Sequence, residues 1–363
     1  NDTGTSNGAT DLRSAGPTND FRIKPEVCGP GENLGVASWA GDEPSATDRY
    51  RASSGTSFAS PAVAGGVALL QQLHKSTFNT HMDGAAMKAL LCHTADDISN
   101  WEGQDLTGPD VKTGYGAINL EKAAQLIEKD KKETLTIHSF ELDQGETETL
   151  YFQTTAVGEL LTATLSWYDP PALFYTTNSL VNDLDLRITQ KNKTYLPWAL
   201  STNVQQPVAI LGDNTRDNLE KVVVSDPLGG RYKITVSHKG SLQRINQAGE
   251  FENTTQRGAL VVTGPGIFSK SERELDQFSA VNNFLVAPIP AKKNFTVSAL
   301  NNNIPFKDVK ILNLNGKEVL RKTRTHFSLS STTVAISVLT TGTYILGIET
   351  ETGTIFRQII IAN

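Results

Sequence analysis

The chain has 363 residues, room for two to three domains at about 150 residues each, and carries 33 Lys+Arg against 39 Asp+Glu for a net charge of −6. No block of basic residues stands out, which excludes the charged face of a duplex-binding protein. The longest strongly apolar stretch, residues 61–70, is about half of the roughly 20 residues a membrane-spanning helix needs.

Residues 1–130 are rich in Gly, Ala and Pro and predict three helices. The first runs over 57–73 and the second over 83–94, where Ala86, Leu90 and His93 share one stripe with Met87 and Leu91 beside it. A third, short helix follows Asn119, with Leu120, Ala123, Ala124 and Ile127 as its apolar face. The charge run at 128–133 then marks a solvated boundary.

From 134 to 268 the pattern changes to period two. In residues 161–167 and 232–237 apolar side chains alternate with hydroxyls or charges, and turn signals such as Asp169-Pro170-Pro171 separate such runs. This predicts an antiparallel β-sandwich or jelly roll. Residues 269–280 read as a polar linker, and 281–363 as a second, shorter all-β module. There Asn315-Gly316 predicts a two-residue hairpin loop, and Glu351-Thr352-Gly353 marks another hairpin. The expected architecture is one α/β piece followed by two β-sandwich modules.

Residues 55–61, G-T-S-F-A-S-P, concentrate the chemistry. A nucleophilic serine needs exposure on a sharp turn, a base for its proton, and N–H donors for the oxyanion. Ser57 at a helix head has unpaired amides and the positive end of the dipole beside it. Gly55 permits the tight turn, and Pro61 falls near the first turn, where a missing N–H costs little. A serine in this place is also a common N-cap.

The full G-T-S-x-A-x-P string resembles the nucleophile motif of the subtilases, the subtilisin-like serine peptidases. Two further stretches agree in order: residues 13–18 and 22–31 are similar to the family's S-x-G-P…K-P-D-V…P-G stretch, and Gly114-Tyr115-Gly116-Ala117-Ile118-Asn119 resembles the end of its catalytic domain. Glu26 stands where the family has Asp, and Cys28-Gly29 where it has a small apolar pair. The resemblance implies Ser57 as catalytic nucleophile and Gly16, Pro17, Gly55, Thr56 and Pro61 as motif or substrate-cleft positions. It implies protein or peptide substrates and no cofactor for the chemistry.

The family's Asp and His precede the Ser in chain order, and an Asn side chain completes its oxyanion hole. No histidine precedes Ser57. His74 lies 17 residues on (74 − 57), roughly 25 Å along one helix. His93 reads as a core or surface histidine, and His81 as a loop residue without a partner carboxylate. Asp42 and Asp48 read as solvated loop carboxylates. The chain opens on Asn1, not Met, and so reads as a processed or partial form holding the C-terminal part of a catalytic domain. It is expected to be inactive alone, the missing N-terminal part being its partner.

Residues 180–188 and 216–222, with Trp167-Tyr168-Asp169-Pro170, resemble the jelly-roll domain that follows the catalytic domain in one branch of bacterial alkaline subtilases, similar to the P-domain of proprotein convertases. Asn182, Asp183, Asp185, Asp213 and Asp217 offer hard oxygens of the kind a structural Ca²⁺ takes, or they serve turns and their own backbone. The last module resembles the C-terminal sorting domain of the type IX secretion system, through Pro288-Ile289-Pro290-Ala291, residues 309–317 and 339–344, and an apolar final strand. That implies the secretion machinery as partner and the exterior or surface of a Bacteroidota-type bacterium as location. Cys28 and Cys92 read as packed thiols, with a bond between them left open. The sequence therefore reads as a secreted serine endopeptidase. The other reading is a non-catalytic secreted surface-binding protein with a peptidase remnant.

Overall fold

The computed structural model describes residues 14–37, 50–98, 108–133, 135–154, 160–172, 179–205, 207–228, 230–272, 284–287, 290–299, 306–323, 331–350 and 353–362. Asp42, Asp48, the 273–283 part of the linker and Pro288-Ile289 lie outside these residues. Two compact units divide at Phe268 and Ser269. Among the described residues no helix is long and apolar enough to cross a membrane.

The first unit opens with a small hairpin, β1 (Leu34–Ala37) and β2 (Tyr50–Ser53), followed by α1 (Thr56–Phe78), α2 (Gly84–Thr94) and α3 (Leu120–Glu133). The helix α1 runs five residues past the predicted end, to a C-cap at Asn79 in left-handed conformation. Nothing between Leu73 and Phe78 breaks a helix, so only the αL cap stops it. Pro61 sits in the second turn, not the first, and its missing N–H leaves the Ser57 carbonyl without an i+4 donor. The Asp83 side chain caps α2 by accepting from the Ala85 amide at 2.8 Å. The Asn119 side chain does the same for α3, accepting from Lys122 at 2.8 Å.

Among the described residues thirteen strands follow: β3 (Ile137–Leu142), β4 (Glu148–Thr154), β5 (Leu161–Trp167), β6 (Asp183–Gln190), β7 (Lys193–Tyr195), β8 (Trp198–Leu200), β9 (Ala209–Leu211), β10 (Leu219–Val224), β11 (Gly230–Lys239), β12 (Gln243–Ile245), β13 (Phe251–Asn253), β14 (Gln256–Thr263) and β15 (Gly266–Ser269). Two antiparallel sheets, β10-β5-β14-β3 and β15-β4-β11-β6-β7, face each other. Their inner faces interdigitate Leu150, Phe152, Leu165, Trp167, Leu186, Tyr232 and Ile234 into one core. This is the sandwich that the period-two pattern predicts.

The hydroxyl face of β5 is not solvated. Thr162, Thr164 and Ser166 are all buried, because α2 lies on that face. Ala85, Ala86, Ala89 and Leu90 pack there against Ala259 and Val261 of β14. The small side chains of α2 allow a close seat, and the two polar pairings that remain are satisfied across the joint. His93 Nδ1 meets Thr164 Oγ1 and its Nε2 meets Thr263 Oγ1, both at 2.9 Å. Lys221 of β10 donates to the carbonyls of Cys92 and His93 at 2.9 and 3.3 Å, capping the end of α2, and burial pulls its ammonium down to about 8. The 1–130 segment and the sandwich therefore share one compact unit.

The second unit pairs the sheets β16-β17-β20 and β19-β18-β21-β22, built from β16 (Phe284–Ala287), β17 (Asn294–Ala299), β18 (Phe306–Leu312), β19 (Glu318–Thr323), β20 (Ser331–Ala335), β21 (Gly342–Thr350) and β22 (Gly353–Ile361). Phe284, Phe295, Val309, Ile311, Leu346 and Ile359 form its core. Ala291 joins by accepting from Ala362 and donating to Ile360, both at 2.9 Å. The β18–β19 connection differs from the predicted two-residue loop. Asn313 N donates to Lys317 O at 2.9 Å around a three-residue loop with Gly316 at φ 78°. The Asn313 carboxamide accepts from Asn315 and Lys317, which favours the longer loop.

Burial holds the His93 imidazole well below its ordinary value, so it is neutral in the folded chain. A depressed value means the unfolded chain takes up the proton first. The stability it supports is present above about pH 6.5 and is lost at about 1.4 kcal/mol per pH unit as pH falls below that. Denaturant unfolding at pH 7 and pH 5 should show a stability loss in the wild type that is smaller in His93→Gln. An equal loss in both would contradict the assignment.

Candidate active site

The Ser57 elbow is built by glycines that let one loop lie on the head of α1. Gly55, the residue before the helix, has φ 149° and ψ 161°, a conformation that side chains resist. Its N–H donates to Gly31 O at 2.7 Å, and its carbonyl accepts from Phe58 and Ala59 at 3.0 and 3.3 Å. A Cβ on Gly29 would meet Val63 Cγ2 at 2.6 Å, and one on Gly31 would meet Ala59 Cβ at 3.0 Å. The 28–31 loop can therefore touch the first two turns of α1 only as glycine.

This geometry leaves Ser57 and Thr56 exposed in the first turn. Ser57 Oγ makes no hydrogen bond among the described residues, and no acidic side chain stands in that turn to offset the helix dipole. The Ser57 amide lies among the first N–H groups of the helix, which have no i−4 carbonyl to bond. An exposed hydroxyl, a free amide and a positive helix end thus share one point.

The three motif stretches converge by backbone pairing. Cys28 N donates to Gly116 O at 2.8 Å and Ile118 N to Cys28 O at 2.9 Å. Ala117 and Asp96 exchange two bonds of 2.8 Å, and Tyr115 N donates to Glu26 O at 2.8 Å. Gly16 is pinned through its N–H to Val111 O at 2.7 Å, with the Lys24 carbonyl filling the space a Cβ would need. Pro17 is half-buried beside it. Glu26 pairs with Lys24 and Lys88; burial raises its carboxyl, but Lys88 and Lys24 outweigh this and hold it below the ordinary range. Neither Cys28 nor Cys92 is in a disulfide: Cys28 Sγ donates to Thr113 O at 3.6 Å, and burial pushes the Cys92 thiol up to about 12.

No described histidine is placed to serve Ser57. His74 lies near the far end of α1, where its Nδ1 meets Thr80 O at 2.8 Å and its ring packs on Phe78. His81 follows that end, roughly 33 Å of helix from Ser57. His93 is buried between two threonines, His138 pairs with Glu148 at 2.8 Å, and His238 accepts from Gly145 at 2.7 Å. His326 lies outside the described residues.

The proposed metal set does not converge. Asn182 is fully buried and structural: its carboxamide bonds Gln243 and Gln256, and its carbonyl accepts from Trp167 Nε1 at 2.9 Å. Asp217 is turned toward Ile23, whose amide it accepts at 2.8 Å, and toward Asn214. Asp183, Asp185 and Asp213 do meet, but around Lys239. Among the described residues no group of three or more His, Cys, Asp or Glu is spaced to hold a metal ion.

Residues 2–117 match the Subtilase family, and residues 285–362 match the secretion system C-terminal sorting domain. The first segment ends at the Gly114–Ala117 stretch that closes on Cys28 and Asp96, and the second spans most of the second unit. The chain thus carries a serine peptidase-family segment and the tail of a secreted or cell-surface protein. Similar solved structures include a biofilm-associated protein BSP domain (12% identity, 62% of this chain and 48% of that one, TM-score 0.19). A GH2 β-galacturonidase from Eisenbergiella tayi (10%, 64% and 37%, 0.17) and a β-glucuronidase from Faecalibacterium prausnitzii (8%, 62% and 37%, 0.19) are others. The chain spans about half or less of each, and likeness at these scores carries no functional argument.

Gly55→Ala should cost about 1–3 kcal/mol, since alanine resists this φ even though its Cβ would meet nothing closer than 3.8 Å. Ser57→Ala, which removes an unpartnered exposed hydroxyl, should stay within about 0.5 kcal/mol of wild type. Denaturant midpoints of the two variants provide the check; equal stabilities would contradict the strained elbow.

Proposed function

We propose that Ser57 is the nucleophile of a secreted serine endopeptidase that cleaves peptide bonds through an acyl-enzyme. The observation that carries this reading is the elbow itself, an exposed Ser57 hydroxyl with no hydrogen-bond partner among the described residues, beside its own amide at the head of α1. Ser57 Oγ attacks the scissile carbonyl as a base takes its proton. The carbonyl oxygen gains negative charge against the Ser57 N–H and the helix dipole. The intermediate collapses with expulsion of the amine, which takes a proton from the protonated base. Water then adds to the ester and releases the acid, restoring Ser57.

The base, its orienting carboxylate and a second oxyanion donor come from polypeptide outside this chain. Two features support that. Only Gly66 and Leu70 of α1 are buried, while Pro61, Ala64, Gly65, Ala68 and Leu69 stand exposed along one side. Beside it, a hollow of about 360 Å³ opens between α1 and α2, with Val67, Met87 and Leu91 on its walls beside Gln71 and the Glu26–Lys88 ion pair. A helix so apolar is normally covered. The substrate is an extended peptide. The second unit directs export by a type IX system of a Bacteroidota-type bacterium, and no metal or cofactor enters the chemistry.

A fluorophosphonate probe should label Ser57 in a longer form of the protein that carries D-[ST]-G, H-G-x-x-x-A and A-x-G-N segments ahead of Asn1. The present chain should label about a thousandfold more slowly or not at all, and Ser57→Ala not at all. Absence of labelling in the folded longer form would refute the catalytic role and favour a secreted binding protein.

A further inference from the structure

The acidic cluster on the sandwich already contains a cation of its own. Asp183, Asp185 and Arg187 alternate along β6 with the core residues Leu184, Leu186 and Ile188, so all three project from the same outer side of the strand. Lys239, at the end of β11, stands opposite Asp183 in the ladder, and Asp213 arrives from the segment between β9 and β10. The Lys239 ammonium lies 3.1 Å from Asp183 Oδ2, 3.0 Å from Asp185 Oδ1 and 2.8 Å from both Asp213 oxygens. Its three N–H donors thus meet three carboxylates. Arg187 seals the cluster from the other side, donating to Asp185 Oδ1 at 2.6 Å, to Asp213, and to Glu220 Oε2 at 3.5 Å.

We infer that Lys239 is a built-in cation that holds the place of a divalent metal ion in this sandwich, and that its removal turns the cluster into a divalent-cation site. A calcium ion takes six to eight oxygens at roughly 2.3–2.6 Å. Here the oxygens surround a nitrogen at hydrogen-bond distance. An entering ion would have to displace the Lys239 ammonium from three carboxylates and sit beside the Arg187 guanidinium, whose like charge opposes it. Without Lys239, three carboxylates face one another with Arg187 as their single counter-charge. Within that set Asp183 Oδ1 is buried with no hydrogen-bond partner among the described residues and stands as an open acceptor. The arrangement is independent of the role of Ser57.

Calcium titration by calorimetry and thermal unfolding with and without EGTA, on the full chain, test this. Wild type and Asp213→Asn should bind the same number of calcium ions, and EGTA should shift their Tm equally. Lys239→Gln should bind one calcium more, with Kd of about 10⁻⁴–10⁻³ M, and its Tm should rise by several degrees in millimolar calcium. Adding Asp185→Asn to Lys239→Gln should abolish that extra site. A wild-type calcium site that Asp213→Asn removes would overturn the inference, as would a folded Lys239→Gln that gains no calcium. If Lys239→Gln folds only with calcium the inference stands; if it folds under neither condition, the comparison of wild type with Asp213→Asn decides.

Discussion

The elbow that presents Ser57 hangs on a four-stranded sheet buried on both faces. One face packs on the opposing sheet through Leu165, Trp167 and Val222, and the other carries α2. Polar groups under a helix must be paired or they cost about 1–3 kcal/mol each. His93, Thr164 and Thr263 pair with one another, and Lys221 takes the last carbonyls of α2. From the end of α2 the connection runs through backbone bonds alone: Asp96 to Ala117, Gly116 and Ile118 to Cys28, then Gly31 to Gly55 and the first turn of α1. Each step is a pair of neighbouring segments with little freedom. The sandwich thus supports the serine through its helical layer.

The same preference for internal partners governs the polar interior of the sandwich. Asp169 accepts the Val181 and Asn182 amides at 2.8 and 2.7 Å, yet burial still lifts its carboxyl to about 6. Asn182 bonds Gln243 and Gln256, and Trp167 donates to the Asn182 carbonyl. These residues form one satisfied cluster where β5, β6 and β14 approach each other. Groups buried and paired in this way add little net stability, because their desolvation offsets most of the gain. Lys239 extends that logic to charge, supplying from β11 the cation its three carboxylates require.

Local signals were legible in the sequence where one segment carries the whole message. The head of α1 follows from Gly55 and a run of small helix formers, and β5 matches its period-two pattern residue for residue. Long-range pairings were not legible. Thr162, Thr164 and Ser166 look like a wet face, and only the seat of α2 shows them to be covered. Asn182 and Asp217 share residue types with Asp183 and Asp185 but point to different partners, which spacing cannot reveal. Lys239 is 56 residues from Asp183 and meets it only through the β6–β11 register. The Asn315-Gly316 signal located its turn but not the loop length, since the Asn313 side chain chose the longer form.

We propose that Ser57 is a nucleophile whose activating groups are supplied by polypeptide outside these 363 residues. The most direct test is turnover of a peptide substrate by the chain combined with, or fused to, a polypeptide carrying the missing Asp, His and Asn segments. The account predicts that kcat/KM rises at least about a thousandfold on combination and that Ser57→Ala abolishes the rise. Turnover that survives Ser57→Ala, or a stable assembly that cleaves nothing, would contradict it.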